Sequence, residues 1–157
     1  MKQISTHALA ELSARALASP RLRANLNLHQ ELTDPVQRLA IAMEPGTYVR
    51  PHRHPQTWEL LFPLRGRFVV LHFDDSGKVT ARSVLGENSA ILENPAGQWH
   101  AVLSLDASGV IFEVKHGPYQ PPAAADYAPW SPAEGSPEAT RLNAWYASAQ
   151  PGQRYAP

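Results

Sequence analysis

Two histidines and one glutamate near the middle of the chain have the residue types and spacing of a metal site. His52 and His54 are separated by one residue and flanked by Pro51 and Pro55, and Glu59 follows shortly afterwards. Both prolines favour an extended backbone, in which alternate side chains point the same way. A turn after Pro55 would bring Glu59 back beside the imidazoles. Two imidazoles and one carboxylate suit a borderline divalent metal ion.

A further candidate ligand lies in the segment "NPAGQWH" (94–100). There a turn delivers His100 to the start of a strand whose same-side neighbours are mostly apolar. The residues alone leave alternatives open, because short motifs also arise by chance. The 50–54 segment can form a solvated basic loop, and His100 can be a hydrogen-bonded core or rim histidine.

The composition narrows the possible chemistry. The chain has 157 residues, 43% of them hydrophobic and 18% charged, which is typical of one globular domain. It contains no cysteine, so disulfide scaffolds, iron–sulfur clusters, thiolate nucleophiles and thiolate zinc sites are excluded. Any metal must be held by nitrogen and oxygen atoms, which leaves one divalent ion of Fe, Mn, Ni, Co or Zn possible.

Charge and hydropathy indicate which partners and locations to expect. The formal net charge is zero and the basic residues are dispersed, whereas a nucleic-acid partner favours clustered Lys and Arg. The first 17 residues lack the apolar core of a signal peptide, and no later apolar run is long enough to cross a membrane. We therefore expect a cytoplasmic location, with no nucleic-acid or membrane partner.

Short strands are the elements that must position these residues. Segments typical of strands, separated by turn signals, lie at 36–43, 47–54, 58–64, 67–73, 78–85, 89–93, 99–105 and 110–116. Close, regular spacing of this kind predicts an all-β sandwich or barrel. A short helix at 6–18, capped by Ser5 or Thr6, precedes them, followed by a polar and irregular connection.

The end of the chain differs in composition from the rest. Eight of the fifteen prolines lie at 118–157, which indicates an arm wrapped over the barrel or against a partner, with its last residues loose. Within it, Ser136 and Pro137 can start a helix. We therefore predict an N-terminal helical extension and linker (1–31), a barrel (32–117) and a Pro-rich arm (118–157).

The histidine segment resembles a motif of a known family, the cupins. Gly46, His52, His54, Glu59 and Gly66 have the spacing of the first cupin motif, G-x5-H-x-H-x4-E-x6-G. The resemblance implies a double-stranded β-helix, or jelly roll. It also implies a metal ion at the mouth of the barrel, with two coordination positions left open.

The second cupin motif is present only in part. Pro95, Gly97 and His100 match P-x-G-x2-H, but Gly86 stands nine residues before Pro95 rather than six, and Ser104 replaces the closing asparagine. The resemblance therefore implies a ligand set of His52, His54, Glu59 and His100 and leaves the rear wall of the pocket undefined.

A narrower resemblance spans most of the chain and concerns the WbuC-type cupin metalloproteins. It is carried by the segments 23–29, 36–39, 48–54, 99–100, 113–119 and 128–135. That family is often associated with surface-polysaccharide biosynthesis, so the resemblance implies a polar, sugar-like substrate.

Strand alternation predicts that two residues beside the histidines are substrate contacts. Tyr48 and Arg50 have the same parity as His52 and His54, so an extended segment would place all four on one side. Arg50 can bind a carboxylate or phosphate of the substrate. The alternative is a rim arginine that pairs with a surface acid.

Two further groups of candidate substrate contacts carry alternatives of their own. Asn25, Asn27 and His29 alternate with leucines, so they can reach over the barrel mouth or form the solvated side of an edge strand. Glu113 and Lys115 can line the pocket as an acid/base pair. The alternation of their strand favours a solvated outer face, whereas their place in "EVKHGPY" (113–119) favours the pocket.

Three classes of function fit this sequence. The first is a metal-dependent enzyme, isomerase- or epimerase-like, that acts on a small polar molecule. The second is an Fe(II)-dependent dioxygenase, and the third is a non-catalytic sugar-binding or sensory module. Strands 67–73 and 99–105 have apolar outer faces that need cover, which the terminal helices, the Pro-rich arm or a second subunit can supply. We also expect a homodimer, as the resemblance to cupins implies.

Overall fold

The computed structural model describes residues 1–156 and is dominated by two antiparallel β-sheets. The elements are α1 (Thr6–Ala18), β1 (Arg23–Asn27), β2 (Val36–Met43), β3 (Glu59–Arg65), β4 (Phe68–Phe73), β5 (Val79–Leu85), β6 (Leu92–Asn94), β7 (Trp99–Ser104), β8 (Gly109–His116), a 3-10 turn (Ala124–Asp126) and α2 (Pro137–Tyr146). Among these residues, neither helix has the length and hydropathy needed to cross a membrane.

The two sheets face each other and enclose the first core. The larger sheet has the strand order β1-β2-β8-β3-β6, and the smaller one has the order β5-β4-β7. Met43 and Leu61 from the larger sheet pack against Phe68, Val70 and Val102 from the smaller one. Alternating inward apolar residues on facing sheets produce this arrangement. The predicted all-β jelly roll with two flanking helices is confirmed.

Helix α1 covers part of the outer face of the larger sheet. It begins after Ser5, whose side chain accepts a hydrogen bond from the Ala8 backbone N–H, as an N-cap does. Leu12 and Ala16 are fully buried in a cluster with Ala40 of β2 and neighbouring residues of β8. Helix α1 therefore closes the outer face of β2 and β8 to solvent.

The C-terminal arm covers the outer face of the smaller sheet. Leu142 and Tyr146 of α2 pack against Val69, Leu71 and Phe73 of β4 in the largest buried cluster. Ser136 caps α2 and Pro137 occupies its first turn, as predicted. The arm of the same chain thus covers the apolar outer face of the smaller sheet, for which the sequence left the arm or a second subunit as alternatives.

The expectation that the last residues of the arm are loose is wrong as far as the structure describes them. The Val79 N–H donates to the Gln153 carbonyl, and the Gly152 N–H donates to the Val79 carbonyl. Tyr155 packs beside Trp145. These contacts tie the chain end to β5, and the last residue, Pro157, lies outside the described residues.

Two segments differ from the predicted elements. The connection predicted to be irregular contains β1, an edge strand that pairs with β2, with Asn25 opposite Ile41. The segment 47–54, predicted as a strand, is irregular apart from isolated bridges at His52. The alternation at 25–29 is too short to identify a strand by itself, and the proline-bounded segment lacks the ladder hydrogen bonds of a regular strand.

Candidate metal centre

Three imidazoles converge at one end of the space between the sheets. His52, His54 and His100 each offer a ligand atom within 4.8 Å of the others. His52 is held beside β7 by two backbone hydrogen bonds, from its N–H to the His100 carbonyl (3.1 Å) and from the His100 N–H to its carbonyl (2.9 Å). The bridge joins two segments that are far apart in sequence and brings their side chains together.

Backbone carbonyls fix the orientation of two of these rings. Nδ1 of His52 lies 2.9 Å from the Arg50 carbonyl oxygen, and Nδ1 of His100 lies 2.9 Å from the Gln98 carbonyl oxygen. A carbonyl oxygen only accepts hydrogen bonds, so each Nδ1 carries the proton. In the neutral ring Nε2 then keeps its lone pair, as a metal-binding histidine requires.

The Glu59 carboxylate lies against the imidazoles. Its Oε1 is 3.3 Å from Nε2 of His54, and its Oε2 is 3.3 Å from Nε2 of His100. Neither nitrogen forms a hydrogen bond, although both atoms are buried. Buried polar atoms without partners are rare in proteins. Two unpartnered ring nitrogens facing a carboxylate form a donor set that fits a divalent cation.

Burial and neighbouring charges set the protonation of this group. Burial, reinforced by the neighbouring His100 and His54 side chains, lowers the pKa of His52 to about 3. Burial opposes the charge of Glu59, but the imidazoles of His100 and His54 and the Lys115 cation together hold its pKa well below the usual range. At neutral pH the site therefore contains an anionic carboxylate and a neutral His52.

A hydrogen-bonded chain that the sequence did not reveal supports Glu59 from behind. The Asn94 side-chain amide donates to Oε2 of Glu59 at 2.9 Å, and Nε2 of His72 lies 2.7 Å from Oδ1 of Asn94. Asn94 is 1% exposed and stands directly opposite Glu59 in the β3–β6 register. Its strand has only three residues, so no periodicity indicated that Asn94 faces the site.

Glu113 and Lys115 line the cavity, as their place in the 113–119 segment favoured, and the alternative of a solvated outer face is wrong. Glu113 is 7% exposed, and its Oε1 lies 2.7 Å from Nζ of Lys115, which is 3.8 Å from Oε1 of Glu59. Helix α1 covers the opposite side of β8, where Phe112 packs. Burial, together with the negative charge of Glu59, raises the pKa of Glu113 to about 7.

Three of the metal-ligand candidates, His52, His54 and Glu59, line one large cavity of about 740 Å³. Volumes of this size are typical of sites for small organic ligands. Of the sequence-predicted substrate contacts, the cavity is lined by Asn25, Asn27, His29, Arg50, Glu113 and Lys115. Three of these residues come from β1 or directly follow it, so the edge strand forms one wall.

The guanidinium of Arg50 is largely committed to the C-terminal arm. Its Nε donates to Oγ of Ser131 at 2.9 Å, and a terminal nitrogen donates to the Ser131 carbonyl at 3.0 Å. The group also lies 5.0 Å from the ring centre of Tyr127. Arg50 therefore holds the arm against the cavity rim, and this role was not among the predictions.

The prediction that Tyr48 shares the face of the histidines is wrong. Tyr48 is buried in the core beneath the arm, where its hydroxyl donates to the Pro132 carbonyl and its ring stacks on Tyr146. Val49 lines the cavity instead. The backbone is not a regular strand here, so the alternation used to assign faces does not hold.

Comparison with known families places this chain in one family. Residues 4–85 match the family described as Domain of unknown function (DUF6016). The chain belongs to this family. The matched residues contain His52, His54 and Glu59, whereas His100, Glu113 and Lys115 lie beyond them. No curated protein matches the chain.

Two solved structures share the fold of this chain at low sequence identity, and a third is similar to it. TT1209 from Thermus thermophilus is 20% identical over 74% of this chain and 97% of its own, with a TM-score of 0.56. KdgF from Halomonas sp. is 14% identical over 65% of this chain and 83% of its own, with a TM-score of 0.52. A cupin superfamily protein from Desulfitobacterium hafniense DCB-2 is 19% identical over 60% of this chain and 76% of its own, with a TM-score of 0.48.

Proposed function

We propose that this protein binds one divalent transition-metal ion through His52, His54, Glu59 and His100. The observation that carries the proposal is the pair of buried, unpartnered Nε2 atoms facing the Glu59 carboxylate at 3.3 Å. A nitrogen lone pair and an anionic oxygen so close together are stabilised by a shared cation. With nitrogen and oxygen ligands only, Fe, Mn, Ni, Co and Zn are the candidates.

We further propose that the protein is a metal-dependent enzyme acting on a small polar, sugar-like molecule. A bound metal ion would supply Lewis acidity for a carbonyl or hydroxyl oxygen. Beside the ligand candidates, Lys115 and Glu113 form a buried pair that can hold a proton at either Nζ or the carboxylate. Arg50 keeps the arm against the rim and so helps to enclose the substrate.

The likeness of the sequence to WbuC-type cupins supports a more specific setting for this reaction. We propose that the protein is a cytoplasmic enzyme of this type that acts in surface-polysaccharide biosynthesis. Dioxygen consumption by an Fe(II) form would instead identify an oxygenase. Ligand binding without turnover would identify a sensory or sugar-binding module.

Elemental analysis of the purified protein tests the metal site. We expect about one metal ion per wild-type chain and a loss of the ion in His52→Ala and Glu59→Ala. The matched controls are His7→Ala and Glu11→Ala, which alter an exposed pair of the same residue types on α1. Equal metal content in wild type, site variants and controls would rule out the proposed ligands.

A further inference from the structure

A row of uncharged polar side chains lies in the cavity wall away from the metal-ligand candidates. It consists of Asn25 and Asn27 on β1 and His29, which follows β1. We propose that this row is a second subsite, which binds an uncharged, hydroxyl-bearing part of the ligand without using the metal. The inference rests on the proposed function because it names the substrate class of the same cavity.

His29 supplies a hydrogen-bond donor. Nδ1 of His29 lies 3.0 Å from both the backbone nitrogen and the carbonyl oxygen of Arg38. The carbonyl already accepts from the Leu28 N–H at 2.8 Å, whereas the Arg38 N–H needs an acceptor. We therefore assign the Nδ1 lone pair to the Arg38 N–H, which leaves the proton of the neutral ring on Nε2. His29 is 4% exposed, and its Nε2 has no hydrogen-bond partner within the described residues.

An unpartnered buried donor indicates that a partner is supplied from outside the protein. Leaving such a group unsatisfied costs about 1–3 kcal/mol, whereas a ligand oxygen in the cavity would satisfy it. The Nε2–H of His29 donates, unlike the Nε2 atoms of His52 and His100, which keep their lone pairs. Two kinds of histidine thus line one cavity, one suited to a metal and one to an oxygen acceptor.

The two asparagines complete the row in a way that suits hydroxyl groups. Nδ2 of Asn25 donates to Oδ1 of Asn27 at 3.0 Å, which leaves the Asn25 carbonyl oxygen and the Asn27 amide nitrogen free. A hydroxyl group both donates and accepts, so adjacent hydroxyls can use both groups. Leu39 and Ile41, opposite them on β2, provide an apolar floor of the kind that packs against C–H groups.

The cations of the cavity wall already have acceptors, so the subsite does not suit a phosphate. Arg21 forms two hydrogen bonds of 2.8 Å with the Glu134 carboxylate. Arg23 donates to the Tyr48 carbonyl at 2.8 Å and lies 3.5 Å from the same carboxylate. A phosphorylated ligand would have to break these bonds, whereas an uncharged glycoside would not.

The sheet places the row at a distance from the metal-ligand candidates. Glu59 is paired with Lys115 on β8, which is paired with Gln37 on β2, and His29 lies beside β2. With about 4.8 Å between strands, the two groups are about 14 Å apart along the curved sheet. A ligand that contacts both groups has to reach across several strands of the cavity wall, as an extended glycoside can.

Binding of methyl glycosides to metal-free protein tests the subsite separately from the metal. Methyl glycosides of glucose, galactose, mannose and N-acetylglucosamine are titrated by saturation-transfer NMR after the metal has been removed with EDTA. We expect at least one of them to bind, and we expect His29→Asn to weaken that binding by about tenfold, the value of one hydrogen bond. The asparagine oxygen can still accept from Arg38 N–H, so the variant removes only the outward donor.

The matched control is His7→Asn, the same change at an exposed position on α1, which should bind like wild type. Circular dichroism and melting curves verify that both variants are folded. The subsite is disproved if no glycoside binds, if both variants bind alike, or if glucose 6-phosphate binds more tightly than the glucoside. Glycoside binding that depends on His29, together with unchanged metal content in His52→Ala, would disprove the metal site and leave the subsite standing.

Discussion

At the scale of single residues, the candidate metal centre depends on groups that hold its ligands as much as on the ligands. Asn94 is such a group, because its amide fixes one oxygen of Glu59 and is itself held by His72. We expect Asn94→Ala to lower metal affinity by about 10- to 100-fold, which is typical for a residue that supports a ligand. Competition with a chromophoric chelator measures the dissociation constant.

The matched control for this variant is Asn88→Ala. Asn88 also has a bonded side-chain amide oxygen, but it caps the Val84 backbone N–H in a turn and does not line the cavity. Its loss should lower stability and leave metal affinity unchanged. An Asn94→Ala protein that binds metal as tightly as Asn88→Ala would show that Glu59 needs no support from behind.

Residue-level prediction from the sequence succeeded where the residues lie close together in the chain. His52, His54 and Glu59 have a recognisable spacing, and the structure brings them together with His100. Asn94 could not be found, because its contact with Glu59 depends on strand pairing across 35 positions.

At the scale of elements, the C-terminal arm is part of the folded core. Leu142 on α2 is 1% exposed and packs in the cluster that covers the smaller sheet. We expect Leu142→Ala to lower the free energy of unfolding by about 2–5 kcal/mol, the usual cost of a cavity in a core. Urea denaturation followed by circular dichroism measures the difference.

Leu17→Ala provides the control at an exposed leucine of α1, where 66% of the side chain is accessible. Surface changes of this kind usually alter stability by no more than about 0.5 kcal/mol. If the two variants were equally stable, the arm would not contribute to the core as the contacts indicate.

Element prediction worked for strands with a strong apolar pattern and failed where the pattern is weak. The bounds of β2 were predicted without error, and α1 was predicted within its observed bounds. In contrast, β1 lies in a segment predicted to be irregular, where an edge strand was only one of the alternatives for 25–29; it has five residues at the edge of the larger sheet. The faces of β8 were left open by the sequence, because the alternation does not say which side α1 will cover.

At the scale of the whole molecule, the arm changes the basis of the predicted homodimer. The apolar faces for which a second subunit was one possible cover, such as Leu71 on β4 and Leu103 on β7, pack under the arm of the same chain. A second copy would therefore have to use another surface. The homodimer stays a prediction.

The metal ion and the global stability of the protein should be linked, because a ligand that binds only the folded state stabilises it. At a free metal concentration about 100 times the dissociation constant, the gain is about 2.7 kcal/mol. For a chain of 157 residues this corresponds to a rise in melting temperature of about 5–10 °C. Differential scanning calorimetry in EDTA and in each candidate metal measures it.

Variants at two distant positions separate the contributions to this rise. His52→Ala should melt at the same temperature with and without metal. Leu142→Ala should melt lower than wild type under both conditions but keep the full metal-dependent rise, since effects of sites without shared partners add. Leu142 belongs to the cluster under the arm, whereas His52 lies in the cavity wall between the sheets. A rise that disappeared in both variants would mean that the arm and the metal centre form one cooperative unit, contrary to their separate packing.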